Sequence, residues 1–225
     1  MQVTMVKYLF IAMSLWLSCC LSLSADTRRP GRLFPPAKIP VLEEQREWQD
    51  IEEIMKRVGI QSGDVVADIG AGSGFFTIPL AEKVGARGLV YAEDIQKGMV
   101  DYIAQKVDQM QIENIRVVLG EIDDPALPEN TLDYAFMANI YHELEQPLLL
   151  LKNVKNDLHL HGKLVIIDWD PRKPSPFGPP KEEKVPEEIV LKEAEEAGFT
   201  FVERHEFMPY HYLLLFEKSI INPCN

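Results

Sequence analysis

The chain has 225 residues, 46% of them hydrophobic, and carries a formal net charge of -12 at pH 7. This length and apolar content suit a single α/β domain with short appendages and a buried core. The excess of acidic residues argues against a broad basic face, and therefore against nucleic acid as a partner.

Residues 1–25 have the pattern of a targeting segment rather than of a folded element. Lys7 precedes an uncharged run from Tyr8 to Ala25, which ends in small residues. The run predicts a signal peptide cleaved after Ser24 or Ala25, and hence an extracytoplasmic protein, periplasmic or secreted. An uncleaved inner-membrane anchor is an alternative, because 18 uncharged residues reach the short end of a membrane span. The arginines that follow would then keep the domain cytoplasmic.

The cysteines add a third alternative for this segment. Cys19 and Cys20 lie in it, where Leu17 to Cys20 forms a poor lipoprotein box. Only Cys224 lies beyond the segment, so the sequence predicts neither a disulfide framework nor a cysteine metal site.

Residues 26–42 are rich in Arg and Pro and lack periodicity, which predicts a linker. The folded domain is predicted over residues 43–220. A helical pattern opens it at Glu43, and Gly59 is placed to end that helix. The helix has its apolar positions at Trp48, Ile51, Met55 and Val58.

Strands and helices then alternate. The predicted strands are Val65–Asp68, Gly88–Ala92, Ile115–Leu119, Leu132–Ala138, Lys163–Asp168, Phe199–Phe207 and His211–Phe216. The predicted helices cover Leu80–Val84, Lys97–Met110, Leu148–Leu158 (ended near Gly162) and Glu187–Ala197. This order predicts an α/β fold with a doubly wound, mainly parallel seven-stranded sheet and helices on both faces. The last two strands have a short connection and must form an antiparallel hairpin.

The first strand runs into a glycine-rich stretch, Asp68-Ile69-Gly70-Ala71-Gly72-Ser73-Gly74. A dinucleotide fingerprint would place its third glycine at position 75, which is Phe75. Asp68 also argues against a pyrophosphate, because it would place negative charge beside an anion, whereas a ligand with a cationic amino group would be favoured.

This D-x-G-x-G-x-G pattern at the end of a first strand resembles motif I of the class I S-adenosylmethionine-dependent methyltransferases. The resemblance extends from about Gln45 to Lys218 and is to bacterial small-molecule enzymes of this class. It implies S-adenosyl-L-methionine as the cofactor, held in part by Asp68, Gly70, Ala71, Gly72 and Gly74.

Ligands of open parallel sheets bind beyond the carboxyl ends of the strands. After the second strand, Asp94 can accept hydrogen bonds from the vicinal hydroxyls of a ribose, with Ile95 beside it. The resemblance places Glu121 and Ile122, after the third strand, at the adenine. It places Asn139, after the fourth, at the amino-acid end of the cofactor.

His142 is the candidate general base, because histidine titrates near neutral pH. Tyr141 is a second catalytic candidate, and the resemblance suggests Tyr210 or Tyr212 near the mouth of the substrate site. Asp168 and Asp170 give only a weak hint of a metal site, and no metal is predicted. The Pro171–Pro186 segment, with six prolines, is a loop and a candidate lid.

The sequence thus predicts methyl transfer from S-adenosylmethionine to a small-molecule or lipid-like acceptor by in-line displacement. Membrane contact through the N-terminal segment is compatible with it, and the oligomeric state is not predicted. A non-catalytic protein that binds S-adenosylmethionine or S-adenosylhomocysteine is the alternative. A nicotinamide-dependent oxidoreductase is a third hypothesis, which Phe75 argues against.

Overall fold

A computed structural model describes residues 32–42 and 49–219. The predicted signal or anchor segment and the Glu43–Trp48 part of the opening helix lie outside the described residues. Within the two described ranges, no helix is long and apolar enough to cross a membrane.

Seven strands form one sheet in the order β3-β2-β1-β4-β5-β7-β6. They are β1 (Val65–Ile69), β2 (Leu89–Asp94), β3 (Ile115–Leu119), β4 (Leu132–Ala138), β5 (Leu158–Trp169), β6 (Phe199–His205) and β7 (His211–Lys218). The first five strands pair in parallel, whereas β7 is antiparallel to both β5 and β6. The predicted doubly wound sheet with a C-terminal hairpin is confirmed.

Helices cover both faces of the sheet. They are α1 (Ile39–Leu42), α2 (Ile51–Val58), α3 (Thr77–Val84), α4 (Lys97–Met110), α5 (Pro147–Asp157) and α6 (Glu187–Ala197). Successive strand residues point to opposite faces, so Val66 belongs to the core layer that contains Leu80 of α3. Its neighbour Ala67 belongs to the layer that contains Leu151 of α5 and Val190 of α6.

The helix before β1 has clear end signals. The Glu53 N–H donates to Asp50 Oδ1 over 2.9 Å, which caps its first turn. Gly59 follows its last residue with φ of 87°, a left-handed conformation that ends the helix as predicted.

The predicted helix Leu148–Leu158 agrees with α5 to within one residue at each end, but the predicted start of β5 at Lys163, after a helix end near Gly162, is wrong. α5 ends at Asp157, and β5 begins at the next residue and runs for 12 residues. The pairing of β4 with β5 is irregular between Leu132 and Tyr134, which absorbs the extra residues of β5. Gly162 lies inside the strand, where a Cβ would come within 2.9 Å of the Leu132 carbonyl oxygen. The glycine therefore permits close approach of the two strands.

The strand order places a crevice at β1 and β4. β1 lies between β2 and β4, so the chain moves outward from β1 first toward β3 and later toward β5. Parallel sheets bind ligands at this switch point, beyond the carboxyl ends of the strands.

Candidate functional site

The glycine loop, Gly70–Gly74, leaves β1 at this crevice. Gly70, Gly72 and Gly74 have φ of 68°, 58° and 77°, in the left-handed region that glycine adopts without strain. A Cβ at Gly70 would also lie 2.7 Å from Cγ2 of Ile140, in the segment after β4. The loop therefore brings the backbone of β1 against the end of β4 as closely as packing allows.

Two carboxylates from the end of β2 accept the N–H groups of this loop. Gly70 N–H donates to Glu93 Oε2 over 3.2 Å, and Gly72 N–H donates to Asp94 Oδ2 over 3.0 Å. The other Asp94 oxygen accepts the Gln96 N–H over 2.8 Å. Because these two side chains already occupy the N–H groups of Gly70 and Gly72, neither donor is available to a pyrophosphate. This occupied loop is a second argument against a dinucleotide.

Burial changes the charge of these acids. Burial raises the pKa of Glu93 to about 8. The hydrogen bond from the Gly70 N–H lowers this pKa, and the negative charges of Asp94 and Asp68 raise it. Burial also raises the pKa of Asp94, while the N–H groups of Gln96 and Gly72 favour its ionised form. Glu93 is therefore largely neutral at pH 7.

An open pocket of about 850 Å³, its mouth included, lies in front of the loop. Seven of the ten predicted cofactor residues line it, namely Gly70, Gly72, Asp94, Ile95, Glu121, Ile122 and Asn139. Apolar Met99, Ile140 and Leu150 complete much of the wall. Most residues that the strand ends and the family resemblance predicted for the cofactor therefore surround one cavity.

The other three predicted cofactor residues support the loop from behind. Asp68 is only 2% exposed and accepts the Thr77 hydroxyl over 2.6 Å. Burial raises the pKa of Asp68 to about 7, although the bond from Thr77 opposes that shift. The Ala71 N–H donates to the Glu93 carbonyl, and the Gly74 N–H donates to the Ala71 carbonyl, each over 2.8 Å. None of the three lines the pocket, so their role there is to shape the loop.

The described end of the predicted linker contacts the site. Leu33 and Phe34 line the pocket. The Phe34 N–H donates to Glu143 Oε2 over 3.0 Å, and the Gln96 side-chain amide donates to the Phe34 carbonyl over 3.0 Å. The prediction of a plain linker over 26–42 is therefore wrong at residues 33 and 34. The apolar Leu33-Phe34 pair within an Arg- and Pro-rich stretch was the available signal.

Tyr141, predicted as catalytic, lies in the core. Its side chain is fully buried, and its hydroxyl donates to Glu193 Oε2 of α6 over 2.7 Å. It is not among the residues that line the pocket. Its position therefore favours a structural role over the predicted catalytic one.

His142 lies in a short 3-10 turn after β4, Tyr141–Glu143. Its Nδ1 is 2.8 Å from Asp168 Oδ1, at the end of β5. Its Nε2 is 3.8 Å from Oε1 of Glu143, which lines the pocket. His142 itself does not line the pocket but lies directly behind Glu143, which does. Asp168 is engaged by the His142 imidazole.

The remaining candidates lie outside the pocket wall. The Tyr212 hydroxyl donates to the Val185 carbonyl over 3.1 Å, which fixes Tyr212 in the core. The Tyr210 carbonyl accepts the Asp170 N–H over 2.9 Å. The Asp170 carboxylate is bound by Arg172, which removes the hint of a metal ligand there.

The pocket fits S-adenosylmethionine in its chemistry. Asp94 provides a carboxylate beside the glycine loop for ribose hydroxyls. Ile95 and Ile122 give the wall apolar surface on which an adenine could lie, and Asn139 gives it an amide that could meet the amino-acid end. Such a site, on this sheet order, defines the class of S-adenosylmethionine-dependent methyltransferases.

The comparisons with known proteins agree with this class. A family model described as a methyltransferase domain matches residues 60–212, so the chain belongs to that methyltransferase family. An S-adenosylmethionine-dependent methyltransferase structure from Aquifex aeolicus is 34% identical, with a TM-score of 0.79, and the match covers 83% of this chain and 100% of that one. The predicted recognition and cofactor are thus confirmed.

Two further matches are more distant. A demethylmenaquinone methyltransferase of Geobacillus sp. is 31% identical over 122 residues, 54% of this chain and 51% of that protein. The chain thus spans about half the length of the curated relatives it matches. A Haemonchus contortus phosphoethanolamine N-methyltransferase, solved with S-adenosylhomocysteine, is 14% identical and covers 76% of this chain and 52% of that one. Its TM-score of 0.61 shows the shared fold alone.

Proposed function

We propose that the chain transfers a methyl group from S-adenosylmethionine to a small, lipid-like acceptor. The observation that carries the proposal is the placement of Asp94. Its carboxylate is bound to the glycine loop and faces a pocket with apolar walls. This arrangement suits a ribose beside an uncharged base.

When bound, S-adenosylmethionine supplies an activated methyl group on a sulfonium sulfur, which departs as the thioether of S-adenosylhomocysteine. The chain's own contribution is to orient and enclose. Asp94 would hold the ribose and Asn139 would border the amino-acid end, while Leu33 and Phe34 line one side of the pocket. Alignment of the acceptor and exclusion of water can account for much of the rate enhancement.

The proposed acceptor class has two supports. The apolar side chains of the pocket favour an acceptor with a hydrophobic body. Several relatives at 26–31% identity carry the name demethylmenaquinone methyltransferase, although the match covers about half of each. A quinol with an isoprenoid tail is therefore the first acceptor to test.

The test uses demethylmenaquinone in lipid vesicles, reduced to the quinol, together with methyl-labelled S-adenosylmethionine. We expect a labelled lipid product and one S-adenosylhomocysteine per methyl transferred. Label that stays in S-adenosylmethionine with this acceptor and with bacterial lipid extracts would contradict the proposal.

A non-catalytic binding protein remains the second candidate, because the cofactor pocket alone does not require turnover. Calorimetry with S-adenosylmethionine and S-adenosylhomocysteine separates the two hypotheses when it is combined with the label assay. Saturable binding of both ligands without transfer to any acceptor would favour the binding protein.

We further propose that the N-terminal segment directs the protein out of the cytoplasm, with an inner-membrane anchor as the alternative. The support is the uncharged run from Tyr8 to Ala25. An anchored cytoplasmic domain would remain where S-adenosylmethionine is made and close to membrane lipids. Mass spectrometry of the N-terminus, with cell fractionation, distinguishes the alternatives: a chain that starts after Ala25 is processed, and a membrane-bound intact chain is anchored.

A further inference from the structure

Asp168 is a buried carboxylate that the cofactor pocket does not use. Its residue is 0% exposed. It accepts the Trp169 N–H over 2.6 Å, the His142 N–H over 2.9 Å, and the His142 imidazole over 2.8 Å. Burial alone would raise the pKa of Asp168, but these donors and the charge of His142 lower it below its usual value. The carboxylate is therefore ionised and can only accept hydrogen bonds.

An ionised Asp168 fixes the tautomer of His142. Because the carboxylate only accepts, Nδ1 of the imidazole must carry the hydrogen. In the neutral ring, the lone pair then lies on Nε2. The same Asp168 also holds the backbone N–H of His142, so both the ring and its turn are fixed to the end of β5. The proton-accepting atom thus has one orientation.

Nε2 is separated from the pocket by Glu143. Tyr141 and His142 do not line the pocket, but the residues that flank this pair in the chain do: Asn139 and Ile140 before it, Glu143 and Leu144 after it. Nε2 lies 3.8 Å from Glu143 Oε1, and the His142 side chain keeps 8% exposure. A small group that reaches past Glu143 therefore meets a proton acceptor.

The charges around His142 are mainly acidic. Burial lowers the pKa of His142, but Asp168, Glu143 and Glu183 together raise it above its usual value. Lys184, next to Glu183, is a cation near this group of acids. Burial lowers the pKa of Lys184, and Asp168 opposes that shift. The imidazole is thus a stronger base than free histidine, and it becomes available as the pH rises through its raised pKa.

We propose that Asp168 is a positioning residue for His142, and that this pair selects acceptors that must lose a proton when methylated, such as phenols and hydroquinones. The inference rests on the proposed methyl transfer and names its substrate class. The acceptor O–H bond breaks, its proton goes to Nε2 of His142, and its electron pair remains on the acceptor as an oxyanion. The new bond to the methyl carbon forms at that oxygen, or at the ring carbon that the oxyanion activates, while the S–CH3 bond breaks and its electron pair leaves with the sulfur. Methylation at carbon is completed by loss of the ring C–H proton and return of a proton to oxygen, so either route releases one proton per methyl transferred.

The first test needs no acceptor. NMR titration of the full chain follows the imidazoles of its five histidines, and H142Q assigns the signal of His142. In D168N, a neutral amide of the same size replaces the carboxylate, and we expect the titration midpoint of His142 to fall. An unchanged midpoint would overturn the pairing. Calorimetry with S-adenosylhomocysteine should give the same dissociation constant for D168N and wild type, which separates this test from failure of the cofactor site.

The second test uses naphthohydroquinone and its dimethyl ether, with methyl-labelled S-adenosylmethionine. We expect the hydroquinone alone to be methylated, and H142Q to lose about 100-fold or more of the rate, as for removal of a general base. In D168N the rate should fall by about 10-fold or more, and the acidic limb of its pH profile should move to lower pH. Methylation of the dimethyl ether at a similar rate, or a D168N profile that keeps its acidic limb, would overturn the proposal.

A matched pair elsewhere serves as the control. His159 Nε2 lies 2.6 Å from Asp133 Oδ1. Asp133 is near the start of β4, whereas the pocket lies beyond the carboxyl ends of the strands. H159Q therefore removes a histidine–aspartate contact without touching the site, and its rate and pH profile should match wild type. A loss of rate in H159Q equal to that in H142Q would contradict a specific role for His142.

Discussion

Replacement of Asp94 by alanine should weaken cofactor binding about 100-fold. Each Asp94 oxygen already accepts one backbone N–H, from Gly72 at 3.0 Å or from Gln96 at 2.8 Å. Each has a second lone pair for one ribose hydroxyl. A hydrogen bond to a charged group contributes about 1.5–3 kcal/mol, so the loss of two at the lower limit is about 3 kcal/mol. This corresponds to roughly two orders of magnitude in the dissociation constant.

The assay is isothermal titration with S-adenosylhomocysteine, which cannot react further. D94N retains the size and one acceptor oxygen, so an intermediate loss of about 10-fold is expected. D101A is the matched control, because Asp101 is exposed on α4 and pairs with Lys97. Thermal unfolding checks that the loop remains folded without its carboxylate. A dissociation constant for D94A within about twofold of the wild-type value would refute the ribose assignment. Loss of an interaction of only about 1.4 kcal/mol would already weaken binding tenfold.

Three further predictions concern the loop and the core. G70A and G63A should each lose about 1–2 kcal/mol in urea unfolding, because both glycines have positive φ. Only G70A should also weaken S-adenosylhomocysteine binding, since its Cβ meets Ile140 whereas nothing lies within 4 Å at Gly63; equal binding by both variants would contradict this. The folded-state pKa of Glu93 is about 8, above the usual 4.5, so the folded protein retains a proton that the unfolded chain releases. The free energy of unfolding should therefore fall as pH rises from about 4.5 to about 8, and E93Q should flatten that decline; parallel profiles would show that Glu93 is not its source. Y141F should lose about 1–3 kcal/mol of stability while methyl transfer persists, because the hydroxyl satisfies buried Glu193. A variant of normal stability that has lost turnover would instead support the predicted catalytic role of Tyr141.

Much of the fold could be predicted because its signals are local. The apolar runs are bounded by Gly59, by the glycine loop and by a short turn before β7. These boundaries predict the ends of most strands to within a few residues. The start of β5 was missed because α5 passes into β5 with no turn residue between Asp157 and Leu158. Gly162 then gave a false end signal, since its role depends on contact with β4.

The site was predictable where a residue follows a strand directly. Asp94 was found by this rule, because the carboxyl ends of parallel strands meet at one side of the sheet. Asn139, which also follows a strand, was assigned through the family resemblance. Contacts distant in sequence were not found. Phe34 contacts Glu143 across 109 residues. The apolar Leu33-Phe34 pair signals burial, but nothing local in the Arg- and Pro-rich segment indicates which part of the chain covers it. The pairing of His142 with Asp168 required the knowledge that β4 and β5 are neighbours.

Glu93 was not among the predicted site residues, although its side chain accepts an N–H of the glycine loop as that of Asp94 does. Glu93 and Asp94 are neighbours at the end of β2, and neighbouring strand residues point to opposite faces of the sheet. A rule that looks for the site residue at the end of a strand therefore picks only one of the two. The loop curves across the end of β2 and takes both carboxylates, which a linear pattern does not indicate.

The ligand that the glycine loop binds decides between a methyltransferase site and a dinucleotide site. Calorimetric titration of the protein with S-adenosylmethionine and, separately, with NADH tests this directly. We predict saturable one-to-one binding of S-adenosylmethionine and no saturable heat with NADH, because Glu93 and Asp94 occupy the donors that a pyrophosphate needs. Saturable binding of NADH without binding of S-adenosylmethionine would contradict the assignment of the site.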